Sequence, residues 1–171
     1  MEPLPEDDGR VEMCVVAFHE LEPASLATEP SAEGIPDNEL APYRQDSDTR
    51  ANDARVRLQG DELNLQPKQA LALSMALHEL ATNAGKYGSL SIPEGQVAVT
   101  WTTRIKDQRL WLYLEWTETG GPAVEPPKRR GFGSRLIEEG VPYELDGEVT
   151  HKFPRSGVTC TIDVPLAEET S

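Results

Sequence analysis

Two neighbouring runs with a period of two constrain this chain more than any other feature. Val97, Val99 and Trp101 alternate with Ala98, Thr100 and Thr102. After a turn at Lys106-Asp107-Gln108, Leu110, Leu112, Leu114 and Trp116 alternate with Trp111, Tyr113 and Glu115. Strand side chains point to opposite faces in turn, so the pattern predicts an antiparallel hairpin with one face on a core. If that geometry continues, Glu118 falls on the Trp116 face, the core side. A carboxylate there is costly without partners.

A helix is expected just before the hairpin. Pro67 suits its first turn and Gly88 its end, giving a helix over residues 67–87. Leu73, Leu77, Leu80 and Ala84 form an apolar stripe at helical spacing. Glu79, Asn83 and Lys86 follow one another at i, i+4 and i+7 and share a different face. Leu71 and Met75 make that second side partly apolar, so the helix reads as buried on more than one side, with a polar ridge. Elsewhere, the pattern predicts a short helix over residues 37–43 and a strand over 54–58, with a turn at Gly60-Asp61. A second helix should start near Gly133 or Ser134 and stop at Gly140, with Pro142 beyond. Strands are expected over 148–153 and 158–164. This order predicts an α+β fold: a two-layer sandwich with a mixed, mostly antiparallel sheet covered on one face by helices.

Residues 22–37 are rich in Pro, Glu, Ala and Ser and read as a linker. They separate a strand-like N-terminal segment, residues 1–21 with an apolar run over 11–18, from a globular domain over 38–171. Among 171 residues, 30 acids face 16 bases, for a net charge of −14. That balance disfavours nonspecific nucleic-acid and anionic membrane binding. Lys128-Arg129-Arg130 is the one basic cluster in the sequence. It reads either as a solvated loop or as charge beside a phosphate site, because Gly131 follows at once. Cys14 and Cys160 are too few and too far apart for a disulfide framework or a metal site. Cys160 alternates with Val158 and Ile162, as a buried strand residue does. No apolar run is long enough to span a membrane, and the N-terminus is acidic, so a cytoplasmic location is expected.

The polar residues suit a site for a magnesium-bound phosphate. Magnesium takes hard oxygen ligands and keeps waters and phosphate oxygens in its shell. The Asn83 side-chain oxygen fits that shell. Glu79, one turn away, can polarise a water or hydroxyl, and Lys86 can offset phosphate charge. Glu118, followed by Thr119-Gly120-Gly121, offers a carboxylate to an adenine amino group, with glycines to turn tightly against the ring. Gly131-Phe132-Gly133-Ser134 lies just before the second helix, where backbone amides bind phosphate.

These segments together resemble the catalytic ATP-binding domain of bacterial sensor histidine kinases, over residues 38–166. The HWE subfamily is the most similar: it is named for a His in the N box and a Trp-x-Glu in the G1 box. Both occur here, in His78-Glu79-Leu80-Ala81-Thr82-Asn83-Ala84 and in Trp116-Thr117-Glu118 before Gly120-Gly121-Pro122. Gly131-Phe132-Gly133-Ser134 resembles the G2 box. The resemblance implies the Bergerat ATPase sandwich, ATP and Mg2+ as ligands, and transfer of the γ-phosphoryl group to a histidine. Asn83 would bind magnesium, Glu79 would assist transfer, and Glu118 would stand where related kinases have an adenine-binding Asp. His78, Lys86, Gly120, Gly131, Phe132, Gly133 and Ser134 complete the expected nucleotide-binding set. Expected partners are a phosphoacceptor histidine domain, in cis or in trans, and a response regulator. A nucleotide-binding or scaffold protein of the same fold that no longer transfers phosphate is the alternative.

Two departures from the family pattern stand out. Val158, after Gly157, takes the place of a Thr that often helps hold adenine, and Thr159 has the wrong parity to substitute. The segment between Gly121 and Gly131 is short and rich in proline, implying a short, stiff ATP lid. No helical pair carrying a phosphoacceptor histidine is recognisable, and His19-Glu20-Leu21 is cut short by Pro23. His78 reads equally as a structural histidine or a nucleotide contact. Trp116 reads as a core anchor, Tyr87 and Phe132 as packing residues, with Phe132 also a possible lid wedge, and His151 as an exposed strand residue.

Overall fold

A computed structural model of the protein describes residues 11–12 and 55–166. The linker over 22–37, the helix expected at 37–43, Cys14 and His19 lie outside these residues.

The predicted hairpin is the centre of the sheet. With β1 (Val11–Glu12), β2 (Val56–Gly60) and β3 (Asn64–Leu65) preceding them, β4 (Gln96–Lys106) and β5 (Arg109–Thr119) pair antiparallel along their whole length. Lys106 stays in its strand, so Asp107 and Gln108 alone make the turn, with φ of 51° and 62°. Two successive left-handed residues form the hairpin turn whose twist matches that of the flanking strands. β2 adds parallel to β4, with Gly60 inside the strand and not in a turn. On the other side β7 (Thr159–Pro165) pairs antiparallel with β5, and β6 (Glu148–Lys152) with β7. The sheet order is β2-β4-β5-β7-β6, mixed and mostly antiparallel as expected. β1 and β3 form a separate two-stranded ribbon.

Helix α1 (Pro67–Lys86) covers one face. Its start is fixed by Gln66 and Gln69, whose side chains cap one another's backbone N–H groups. Gln69 Nε2 also donates to the Pro165 carbonyl at 3.0 Å, tying the helix to the end of β7. Leu73, Leu77, Leu80 and Ala84 are buried against Val97, Val99, Leu112, Leu114, Trp116 and Ile162. On the face of the sheet away from α1, Asp163 is nonetheless buried, roofed by Arg104, with which it forms an ion pair, and by Lys106 at 3.6 Å.

The structure corrects several expectations. The second side of α1 is not buried: Leu71 is 64 % and Met75 43 % exposed. Among the described residues the sheet takes one stripe of the helix, and the other side borders a groove with Phe132 and Leu136. Gly88 does not end the helix through a left-handed turn, since its φ is −99°. The amides of Tyr87 and Gly88 both donate to the Asn83 carbonyl, and that closes the last turn. The second helix does not stop at Gly140. It runs as α2 (Phe132–Arg135), a π-helical turn (Leu136–Gly140) and α3 (Val141–Leu145). Pro142 cannot donate to, and its ring crowds, the carbonyl four residues back. One extra residue in the turn relieves this: the Val141 N–H reaches back to Leu136, and the chain continues past the proline. Asp146, in the left-handed conformation, makes the real stop.

Leu77 sits at the centre of the helix–sheet contact, while Leu71 faces solvent. Leu77→Ala should therefore cost about 2–5 kcal/mol of unfolding free energy, and Leu71→Ala less than about 0.5 kcal/mol. Urea denaturation of both variants checks this, and equal losses would contradict the one-sided packing of α1.

Candidate functional site

The site is built around Glu118. Its side chain is buried, 3 % exposed, on the core face of β5 next to Trp116, as the strand parity required. One oxygen, Oε2, accepts the Ser89 backbone N–H at 2.8 Å. The other, Oε1, accepts the Trp116 indole N–H at 3.2 Å. Trp116 is therefore both core anchor and orienting donor. Ser89 opens a short 3₁₀ turn immediately after α1, so the carboxylate joins helix end to sheet. Space is tight here. A Cβ on Gly88 would lie 2.3 Å from Glu118 Oε2, and one on Gly157 1.8 Å from the Glu118 carbonyl oxygen. A carboxylate has roughly four acceptor positions, so two donors leave capacity for a ligand.

Glu118 lines a cavity of about 440 Å³, within the range of roughly 300–1,000 Å³ common for small-molecule sites. One wall is α1, with Glu79, Leu80 and Asn83, and Tyr87 just beyond its end. A second is the sheet end, with Glu118, Val158, His151 and Phe153. The third is the segment after β5, which carries Ala123, Val124, Glu125, Pro127 and Arg129, followed by Gly131, Gly133 and Ser134. Of the residues predicted from sequence, Glu79, Asn83, Glu118, Gly131, Gly133 and Ser134 meet here. His78, Lys86, Gly120 and Phe132 are not among the lining residues. His78 borders the neighbouring groove with Ser74, Met75, Phe132 and Leu136, a groove that shares Glu79 with the cavity. Lys86 is exposed in the last turn of α1. Gly120 makes the turn out of β5 at φ +69°, where a side chain would be strained. Phe132 is 80 % and Tyr87 78 % exposed, so neither is a packing residue.

Glu79 and the glycine-rich turn are in direct contact. A Cβ on Gly133 would fall 2.2 Å from Glu79 Oε2 and 3.0 Å from its Cδ, so a larger residue there would push the Glu79 carboxylate aside. Around Gly131, by contrast, there is open space. Glu79 and Asn83 present hard oxygen donors one turn apart. Among the described residues no group of three or more His, Cys, Asp and Glu could hold a metal alone. A pair of protein oxygens fits a cation that completes its shell with waters and phosphate oxygens, as magnesium does. Val158 lines the cavity and Thr159 does not, in keeping with the parity of β7.

His151, expected to be exposed, is instead a wall of the cavity, its side chain 3 % exposed. The signal was in the sequence: His151 shares strand parity with Val149 and Phe153, which are half-buried, while Glu148, Thr150 and Lys152 point out. Its Nδ1 lies 3.4 Å from Glu138 Oε1, too poorly aligned for a hydrogen bond. Its ring packs at 4.4 Å on Phe153. Burial pushes the imidazole below its ordinary value of 6.5; Glu138 opposes that shift and Arg130 adds to it. Cys160, its partner across β6 and β7, is pushed up to about 12 by burial and stays a thiol. A histidine with a lowered folded pKa takes up its proton more readily in the unfolded chain. Its effect is thus absent well above pH 6.5 and destabilises the fold progressively as pH falls below it. Urea unfolding of wild type and His151→Gln should show a stability difference that is constant at alkaline pH. That difference should shift against the wild type on acidification, and a pH-independent difference would refute the buried neutral state.

Comparison with known proteins bears on the fold and the family. No family model matches the chain. The chain is 37 % identical over 115 residues to a blue-light-activated histidine kinase of Brucella anthropi, covering 67 % of this chain and 23 % of that protein. It is 36 % identical over 130 residues to the one of Brucella ovis, covering 76 % and 26 %. It thus spans about a quarter of the length of these curated relatives. The solved histidine kinase domain of the blue-light-activated histidine kinase of Erythrobacter litoralis superposes with a TM-score of 0.51 at 20 % identity. That match covers 66 % of this chain and 51 % of the solved one, and it establishes the fold. The domain formed by the sheet, α1 and the glycine-rich turn belongs to the histidine kinase catalytic-domain family, of the HWE type.

Proposed function

We propose that this domain binds Mg-ATP and transfers the γ-phosphoryl group to a histidine of a phosphoacceptor domain, from which a response regulator would take it. The observation that carries this reading is the convergence of Glu79, Asn83, Glu118 and the Gly131–Gly133 turn on one cavity. Each supplies what one part of a nucleotide requires. Glu118, held by Ser89 and Trp116, accepts a hydrogen bond from the adenine amino group. Val158 and Leu80 offer apolar surface to the base. The amides at the start of α2 face the phosphates, and Asn83 provides the oxygen for magnesium. The bound cation supplies charge neutralisation at the phosphates.

Glu79 stands where the acceptor would approach, between the cavity and the groove of Met75, His78 and Phe132. Its carboxylate accepts a hydrogen bond from the acceptor imidazole and stabilises the positive charge growing there. The imidazole nitrogen forms the N–P bond as the bond from phosphorus to the bridging oxygen breaks, and ADP leaves with the electron pair. Lys86 and His78, outside the cavity wall, would serve only at longer range. Among the described residues no helix is long and apolar enough to cross a membrane, and we infer that the domain works in the cytoplasm.

Titration with a fluorescent ATP analogue tests the reading. Magnesium-dependent binding by the wild type should weaken at least about tenfold in Asn83→Ala, and unchanged affinity would sink the metal assignment. With labelled ATP and a supplied phosphoacceptor domain, Glu79→Gln should keep binding but slow transfer about a hundredfold or more. Equal transfer would remove Glu79 from the chemistry.

A further inference from the structure

We propose that Glu138 is a positioning residue of this site: from the π-helical turn it latches Arg130, and with it the basic end of the lid, beside the cavity. This rests on the nucleotide reading above. The lid is the irregular segment from Gly121 to Arg130, and two contacts tie it down. Near its start, the Val124 N–H donates to the Arg155 carbonyl at 3.1 Å, on the loop joining β6 and β7. At its end, Arg130 Nη1 lies 2.8 Å from Glu138 Oε2. Arg129, the residue before, lines the cavity, so holding Arg130 sets where Arg129 can reach.

Glu138 is suited to the task. Its side chain is 16 % exposed and so held in place by its surroundings, while the Arg130 side chain, 66 % exposed, is the partner free to leave. It sits in the turn widened ahead of Pro142, so the same irregularity that carries the helix past the proline fixes the latch. Its second oxygen faces His151, a wall of the cavity. The groups around that imidazole are Glu138 from the π-helical turn, Arg130 from the lid, and the neutral Cys160 thiol from β7. Glu144 of α3, which also packs on β6, is paired with Lys68 at 3.3 Å. A proton on His151 sets a second cation against Glu138 and repels Arg130. Acidification below the ordinary histidine range therefore loosens the lid.

Amide hydrogen exchange of the full chain without nucleotide, read on fragments spanning 123–131, tests the latch directly. Glu138→Gln and Arg130→Gln should each speed exchange about three- to fivefold, and the double variant no further. Unchanged exchange in both single variants, or additive effects, would overturn the proposal. Arg130→Gln, on an exposed side chain, keeps the test valid if Glu138→Gln folds poorly. Dissociation of a fluorescent ATP analogue should quicken by a similar factor in either variant. From about pH 7.5 to about pH 5.5 the wild type should lose residence time more steeply than Glu138→Gln, and parallel pH profiles would count against the latch. If the wild type binds no analogue, the nucleotide reading fails and the exchange data still decide the latch. If it binds but exchange is unmoved, the latch alone fails.

Discussion

The buried carboxylate of Glu118 is the interaction on which the rest of the site depends. It is placed by strand parity on the core side of β5, where an unpaired charge would be ruinous. Two donors make it tolerable, and they come from different elements: the indole of Trp116 on its own strand and the backbone of Ser89 beyond α1. Satisfying the charge thus welds the helix end to the sheet. It also explains the close packing nearby. Gly88 stands where a Cβ would collide with the Glu118 carboxylate and Gly157 where one would collide with its backbone carbonyl, so the chain packs closely against both the side chain and the main chain of Glu118. The Trp-x-Glu signature is in this view one physical unit, a charge and its donor two residues apart on one face.

A second contact organises the opposite wall. Gly133 lets α2 begin directly against Glu79, which brings the amides of a helix start beside the polar ridge of α1. Beyond it, Pro142 would break a regular helix, and the π-helical turn absorbs that conflict. The result presents Glu138 both to the lid and to the cavity wall. The helical layer is therefore not uniform cover. Both parts pack the core, α1 through its long apolar stripe and the irregular part through Ile137, Val141 and Leu145, while the irregular part also carries Glu138, the partner of Arg130.

Much of this was legible from residue patterns because period two and helical spacing act locally. The β4–β5 hairpin, the stripe from Leu73 to Ala84, the inward Glu118 and the inward parity of Val158 all follow from where a side chain must point on a regular element. The misreadings share a cause. Leu71 and Met75 look like a second buried face, but whether an apolar helix side is covered depends on what lies across from it. Gly140 and Pro142 look like a stop, but a widened turn carries the helix on to Asp146. His151 looks exposed by residue type, although its parity with Val149 and Phe153 pointed inward. Lys86 sits in step with Glu79 and Asn83 by numbering, yet the end of α1 carries it outside the cavity wall.

The amino-acid sequence by itself determined the elements, the faces they present and the chemical identity of the groups gathered on them. These depend on backbone geometry repeated every two or every 3.6 residues, which needs no knowledge of distant neighbours. Only the tertiary structure decided which of those groups meet. It joined Ser89 to Glu118, Gly133 to Glu79, and Arg130 and His151 to Glu138, contacts between different elements that depend on how the helices, the sheet and the segment after β5 pack together. Parity can point a carboxylate inward, but the donors that make its burial affordable are brought by packing.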